Sequence, residues 1–330
     1  MQYRIFGKSG IEISEIVFGC GYVGGLMIQK DEQTCLKAVQ NALDSGINWF
    51  DTAASYGNGT SEESLGTSLA QISQKTHVST KFSYDPSLSE SAGSQIRRSL
   101  EASLSRLKMN SVDLYQLHNP VFGSPAPVSD TGFRGILPAD VLGIGGVLEI
   151  LQKLREEGLF RLIGMTALGD VEACIEVIRT GGFDSAQVYC NLLNPSAIMK
   201  MPQGWTGHDF GGLIEACTAT GTAVMNIRVF AAGVIASNVR HGREMVITDQ
   251  SGIDQEEKRV ESVFLEIGTE FGSRSQTAVR FSLAQNQISC VVIGLAEMRH
   301  LYEALEAQEM GPLPEDGLER IRKIYPSFSN

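Results

Sequence analysis

The sequence predicts a closed (β/α)8 barrel with an N-terminal β-hairpin and long loops at its C-terminal face. Three observations carry that prediction. Short, apolar, β-rich runs recur near 15–20, 47–51, 78–82, 112–118, 160–165, 185–190, 223–230 and 289–294, eight in all. Between them lie amphipathic stretches with helical spacing, at 31–45, 94–107, 146–157, 170–179, 211–219, 275–286 and 297–307. Glycine is enriched, 35 in 330 residues against an average of about 7%. Much of the excess, at Gly19, Gly21, Gly24, Gly57, Gly164 and Gly294, falls where strands should give way to tight loops. Alternating βα units imply a parallel sheet with its helices outside. Eight units without a central break favour one barrel domain, residues 1–330, over two doubly wound domains.

The elements follow in chain order. Residues 2–6 and 11–14, joined by Gly7-Lys8-Ser9-Gly10, read as a small hairpin. Asp31 is placed to cap the first long helix, whose apolar face carries Leu36, Val39, Ala42 and Leu43, and Gly46 to stop it. Two long segments, 119–143 and 231–255, interrupt the rhythm, and such loops are commonly lids or binding loops. With 191–210 they are where substrate specificity is expected. No stretch approaches the ~20 apolar residues of a membrane span. The N-terminus lacks an apolar secretory core. The five His and six Cys are scattered without metal-ligand spacing, so no metal site is predicted and a reduced, cytoplasmic protein is expected. A net charge of −11 argues against nucleic-acid or anionic-membrane partners.

In a parallel barrel, chemistry gathers at the C-terminal ends of the strands. The second strand ends Asn48-Trp49-Phe50-Asp51-Thr52, with Tyr56 just beyond; the third ends Ser79-Thr80-Lys81-Phe82; the fourth ends Gln116-Leu117-His118. These four functional types form a coherent proton-transfer device. A phenol titrates near pH 10, so working near neutrality takes roughly 3 units of help, about 4 kcal/mol. A neighbouring Lys⁺ favours the phenolate, an Asp keeps that Lys charged and oriented, and a neutral His positions a substrate oxygen. Taken singly, each has a bland counterpart: an N-cap Asp, a snorkelling Lys, a loop His. Their arrival on three consecutive strand ends is what points to reversible carbonyl reduction with hydride from a cofactor.

The segments Asn48-Trp49-Phe50-Asp51-Thr52-Ala53-Ala54-Ser55-Tyr56-Gly57, Ser79-Thr80-Lys81 and Leu114-Tyr115-Gln116-Leu117-His118 resemble the signatures of the aldo-keto reductase family. Tyr3 to Gly10, Ile163-Gly164-Met165-Thr166, Gln187 to Asn191 and Val291 to Leu305 extend the resemblance over essentially the whole chain. It implies an NAD(P)-dependent oxidoreductase acting on a small carbonyl or sugar, with Tyr56 as general acid or base, Lys81 and Asp51 tuning it, and His118 orienting the carbonyl. It also implies cofactor contacts at Asp51, Thr166, Gln187, Ile227, Arg228, Phe230, Gly294, Leu295, Glu297, His300 and Glu303.

Several positions depart from the family pattern. Ala167 replaces a usual Asn beside Thr166, and Ile227-Arg228-Val229-Phe230 replaces a usual Tyr-Ser-Pro-Leu, which hints at the aldose 1-dehydrogenase branch. Where NADP-using members carry a basic residue, this chain reads Gly294-Leu295-Ala296-Glu297. A carboxylate there repels a 2′-phosphate and suits a ribose hydroxyl, so NAD is predicted, with NADP as the alternative. Tyr22, His118, Phe122, Phe133 and Trp205 are the expected pocket walls.

Three rivals compete with this reading. Gly19-Cys20-Gly21-Tyr22-Val23-Gly24 spells GxGxxG after a strand, the outline of a Rossmann site, but the expected helix cap, Asp31, comes seven residues too late. Lys81 as a Schiff-base lysine would leave Tyr56 and His118 subsidiary. A non-catalytic, nucleotide-binding regulatory subunit is the third.

Overall fold

The computed structural model describes residues 1–125, 134–240, 242 and 252–325. Eight parallel strands close a barrel in the order β10-β3-β4-β5-β6-β7-β8-β9. They are β3 (Ile16–Gly19), β4 (Trp49–Asp51), β5 (His77–Phe82), β6 (Val112–Leu117), β7 (Phe160–Thr166), β8 (Ser185–Tyr189), β9 (Ala223–Ile227) and β10 (Cys290–Gly294). Ahead of them, β1 (Tyr3–Ile5) and β2 (Glu12–Ser14) pair antiparallel as the expected hairpin. Closure removes the doubly wound alternative, since no open edge or topological switch point is left for a dinucleotide.

The hairpin seals the end where the strands begin. Lys8 N–H donates to Gly221 O at 2.8 Å, and Ser14 N–H to Asn48 Oδ1 at 2.9 Å. Phe6 is fully buried against Trp49, ring centroids 4.9 Å apart, over a floor of Val17, Leu114, Leu162 and Met225. Alternation along the strands then dictates what lies above. If Leu114 and Leu162 face the interior, so do Gln116 and Gly164 two residues on.

The helices are α1 (Leu26–Gln29), α2 (Glu32–Asp44), α3 (Thr60–Leu69), α4 (Ala92–Leu107), α5 (Pro138–Leu142), α6 (Val147–Glu156), α7 (Val171–Arg179), α8 (Leu213–Thr220), α9 (Ile253–Ile267), α10 (Arg274–Leu283), α11 (Met298–Met310) and α12 (Glu315–Ile324). Asp31 caps α2 as its sequence suggests, accepting from Thr34 N–H at 2.9 Å, and Gly46 follows with φ 88°. The sequence reading does not assign α1, α3, α9 or α12, although α9 and α12 are amphipathic, and α5 lies inside a segment expected to be loop. The second core fills the space between the helices and the outer face of the sheet.

One strand ends earlier than its apolar run. β9 stops at Ile227 because Arg228 turns left-handed, φ 60°, followed by Ala231 at 44° and Ala232 at 60°. Three non-glycine residues in this region within five positions are strained, at about 1–3 kcal/mol each, and two of them, Arg228 and Ala232, border the cavity described next.

Candidate active site

A cavity of about 570 Å³ opens at the C-terminal ends of the strands. Asp51 ends β4 and is 3% exposed; Lys81, in β5, is fully buried; Tyr56 sits in the turn after β4, and His118 directly follows β6. Asp51, Ser55, Tyr56 and His118 line the cavity, with Lys81 directly behind. Lys81 Nζ donates to Asp51 Oδ2 at 2.5 Å, to Thr52 O at 2.8 Å and to Tyr56 Oη at 3.3 Å. Tyr56 presents its ring edge-on to His118, centroids 5.7 Å apart at 82°, and Ser55 Oγ lies 3.4 Å from His118 Nδ1.

The electrostatics follow from burial and neighbours. Burial alone would pull the Lys81 ammonium down, but Asp51, and then Tyr56, hold it above the ordinary lysine value. Burial, together with the Lys81 and Arg228 charges, holds the His118 imidazole well below the usual histidine range. The site therefore pairs a permanent cation against the phenol with a neutral imidazole beside it. Such a set can exchange a proton with a substrate oxygen while a neutral ring holds that oxygen in place.

Two buried polar atoms in the cavity wall have no partner among the described residues: Thr166 Oγ1 and Gln187 Nε2. They are neighbours across the β7–β8 pairing, Thr166 opposite Gln187. A hydroxyl and an amide donor left unsatisfied side by side suit a ligand carboxamide, so the residues present fit a nicotinamide group. The cavity then runs past Ile227, Arg228 and Phe230 to Ser275, Gly294, His300 and Glu303. Ala296 N–H donates to His300 Nδ1 at 3.2 Å, and Ser273 Oγ to Glu303 Oε1 at 3.1 Å.

Other expected residues lie elsewhere. Glu297 does not line the cavity; it pairs with Arg299 at 2.9 Å, which keeps its carboxyl below the usual range. Leu295 is buried, its carbonyl accepting from Leu26 N–H at 2.9 Å. Trp205 packs edge-to-face on Tyr325 and under Arg259 instead of walling the cavity. Phe122 is half-buried beside Ile136, outside the lining, and Phe133 falls outside the described residues. Tyr22 does line the rim, with Gly19, Gly21 and Gly24. These glycines serve close packing: a Cβ on Gly19 or Gly24 would sit 2.5 Å from the carbonyl oxygen of Ile293 or Leu295. A helix does open just after them, α1, but it has only four residues.

The sequence reading missed Leu168, Val229, Ala236, Ser237, Val239, Ser275 and Val292 in the wall, and Ser79 and Gln116 beneath Asp51. The last two carried a usable signal, because each lies two residues before Lys81 or His118 on the same strand face. Among the described residues no group of three His, Cys, Asp or Glu gathers to hold a metal ion. No helix there is long and apolar enough to cross a membrane.

The model of the Aldo/keto reductase family matches residues 15–326. L-galactose dehydrogenase of Arabidopsis thaliana is 26% identical over 342 aligned residues, covering 100% of this chain and 96% of its own length. Aldo-keto reductase YhdN of Bacillus subtilis is 31% identical over 173 residues, 50% of this chain and 47% of its own. Among solved structures, the holo form of aldo-keto reductase AKR11C1 from Bacillus halodurans superposes with a TM-score of 0.73 at 20% identity. That superposition covers 98% of this chain and 96% of the other, a likeness of fold.

Proposed function

The chain belongs to the aldo/keto reductase family, and on that premise we propose that it is an NAD-dependent aldose dehydrogenase in which Tyr56 is the general acid or base. Members of the family are oxidoreductases that generally use NAD(P)H on small carbonyl compounds. The observation that carries the finer reading is the convergence of Asp51, Tyr56, Lys81 and His118 at one end of a cavity whose adjoining wall offers Thr166 Oγ1 and Gln187 Nε2.

The nicotinamide cofactor, when bound, gives hydride to the substrate carbon or accepts it. The chain's own task is the proton. In reduction Tyr56 Oη hands a proton to the carbonyl oxygen, and in oxidation it removes one from the hydroxyl. Lys81, 3.3 Å from that oxygen, stabilises the phenolate left behind, and Asp51 keeps Lys81 charged and aimed. His118, held neutral, takes the substrate oxygen as a hydrogen-bond partner without competing for the proton. Thr166 and Gln187 are the residues we assign to the carboxamide. Tyr22 and Ile227 contribute to the wall of the same cavity.

Two features support the sugar and NAD parts of the proposal. A relative matching the full chain is named for oxidation of L-galactose. At the end of the cavity away from the tetrad, the titratable groups are His300 and Glu303, and among the described lining residues the one Lys or Arg is Arg228. Glu297, on which the sequence expectation of NAD rested, pairs with Arg299 instead; we place the adenosine ribose at the Glu303 end, where a 2′-phosphate would face a carboxylate, a like-charge contact that costs several kcal/mol at an interface. Steady-state oxidation of a panel of aldoses with each cofactor tests this. NAD should give the higher kcat/KM; a higher value with NADP refutes the cofactor assignment.

A further inference from the structure

We propose that Ser79 and Gln116 are positioning residues of the proton-transfer site, two neutral donors that hold one oxygen of Asp51 so that its other oxygen aims Lys81 at Tyr56. This rests on the roles given to Asp51, Lys81 and Tyr56 above.

Asp51 Oδ2 takes Lys81 Nζ at 2.5 Å. Its second oxygen, Oδ1, accepts from Ser79 Oγ at 2.6 Å and from Gln116 Nε2 at 2.9 Å. Ser79 and Gln116 are each fully buried, inside the barrel. The directions of both bonds follow from chemistry. The Trp49 indole, which can only donate, gives its proton to Ser79 Oγ at 3.0 Å. Ser79 has one hydroxyl proton, and of its two acceptors Asp51 Oδ1 at 2.6 Å is far closer than Phe50 O at 3.4 Å. For Gln116, turning the amide over would set its carbonyl oxygen 2.9 Å from Asp51 Oδ1, acceptor against acceptor. Nitrogen must therefore face the carboxylate.

The same orientation leaves Gln116 Oε1 buried without a partner among the described residues, as is Ser185 Oγ on the next strand but one. Both side chains converge over Gly164, which lies between Gln116 and Ser185 in the sheet register. A Cβ on Gly164 would be 2.6 Å from Ser185 Oγ and 2.8 Å from Gln116 Cγ. The bare glycine thus gives Gln116 the room it needs to reach Asp51.

The consequence is electronic as well as geometric. Two neutral donors share the carboxylate charge, so Asp51 draws less on the Lys81 ammonium and more of that positive field falls on Tyr56 Oη. Remove one donor and Asp51 holds Lys81 more tightly. The pH at which the site gives up its working proton then rises.

The test is the pH dependence of kcat for aldose oxidation in Gln116→Met, Ser79→Ala and Gly164→Ala, beside wild type and Tyr56→Phe. Gln116→Met keeps the volume and loses the donor, whereas Gly164→Ala displaces Gln116 from outside the site. The rising limb should move up by about one pH unit in at least the two donor variants, with KM for NAD within about twofold of wild type. A lowered kcat with the limb unmoved in both donor variants would make these residues packing only and overturn the inference. Wild type without turnover, or an active Tyr56→Phe, would instead refute the functional reading itself, and this inference with it. Gly164→Ala reports on the same contact by a second route, so a misfolded donor variant does not decide the matter alone.

Discussion

His118 carries the clearest pH signature of any single residue. Its imidazole is held below the ordinary histidine value by burial and by the charges of Lys81 and Arg228. The unfolded chain therefore takes up a proton at this residue before the folded chain does. Stability is complete above the unfolded value of about 6.5 and is lost as pH falls from there toward the folded value, by up to about 1.4 kcal/mol per pH unit. His118→Gln should flatten that slope in urea titrations compared at pH 7 and pH 5; an unchanged slope would assign the acid sensitivity elsewhere. At this scale the sequence was most informative where polar residues end adjacent strands, as Asp51, Lys81 and His118 do. It was least informative where a side chain chooses among distant partners. Glu297 turns to Arg299, and Trp205 to Tyr325 and Arg259, contacts that depend on how helices and loops settle against one another.

Among the elements, α3 shows why helical periodicity can be silent. Its sequence, Thr60-Ser61-Glu62-Glu63-Ser64-Leu65-Gly66-Thr67-Ser68-Leu69, has two apolar residues of any size, and what it buries is small or polar: Ser61, Glu62, Gly66 and Ser68 beside Leu65. The helix is held by close approach and by charge. Gly66 lies against the end of α4, where a Cβ would meet Arg106 O at 2.5 Å, and the buried Glu62 accepts from Arg106 Nε at 2.7 Å and from Thr80 Oγ1 at 2.5 Å. Gly66→Ala sets two effects in opposition. Alanine is the better helix former by about 1 kcal/mol, while overpacking against backbone costs about 1–3 kcal/mol. The contact is with main chain, which cannot swing aside, so the variant should be less stable than wild type in denaturant unfolding. A gain in stability would mean that α3 is free to shift. The β9 end makes a similar point: its apolar run continues through Phe230, yet the left-handed backbone at Arg228 ends the strand, something no periodicity encodes.

Taken whole, the molecule divides its labour between its two ends. The hairpin, Phe6 and Trp49 close the face where strands begin, and the opposite face holds the cavity and the four polar side chains. This asymmetry was legible from the sequence, since eight repeated βα units and a short leading hairpin leave few other arrangements. Of the cavity wall contributed by 227–239, Ile227, Arg228 and Phe230 were anticipated, whereas Val229, Ala236, Ser237 and Val239 were not, because loop backbones follow from tertiary contacts. Acidity at this scale has a local meaning too: Glu303 lies in the cavity wall, and Arg228 is the one Lys or Arg among its described lining residues. The central proposal is that Tyr56 takes the proton from a sugar hydroxyl while the carbon bearing that hydroxyl gives up hydride to the nicotinamide cofactor. Its most direct test is the rate of NADH formation from aldoses by wild type and by Tyr56→Phe, with folding checked by circular dichroism. Wild type should turn over at least one aldose, and removing the phenol oxygen should slow it by about 10²–10⁴-fold. A Tyr56→Phe protein that oxidises the same sugar at the wild-type rate would contradict the claim.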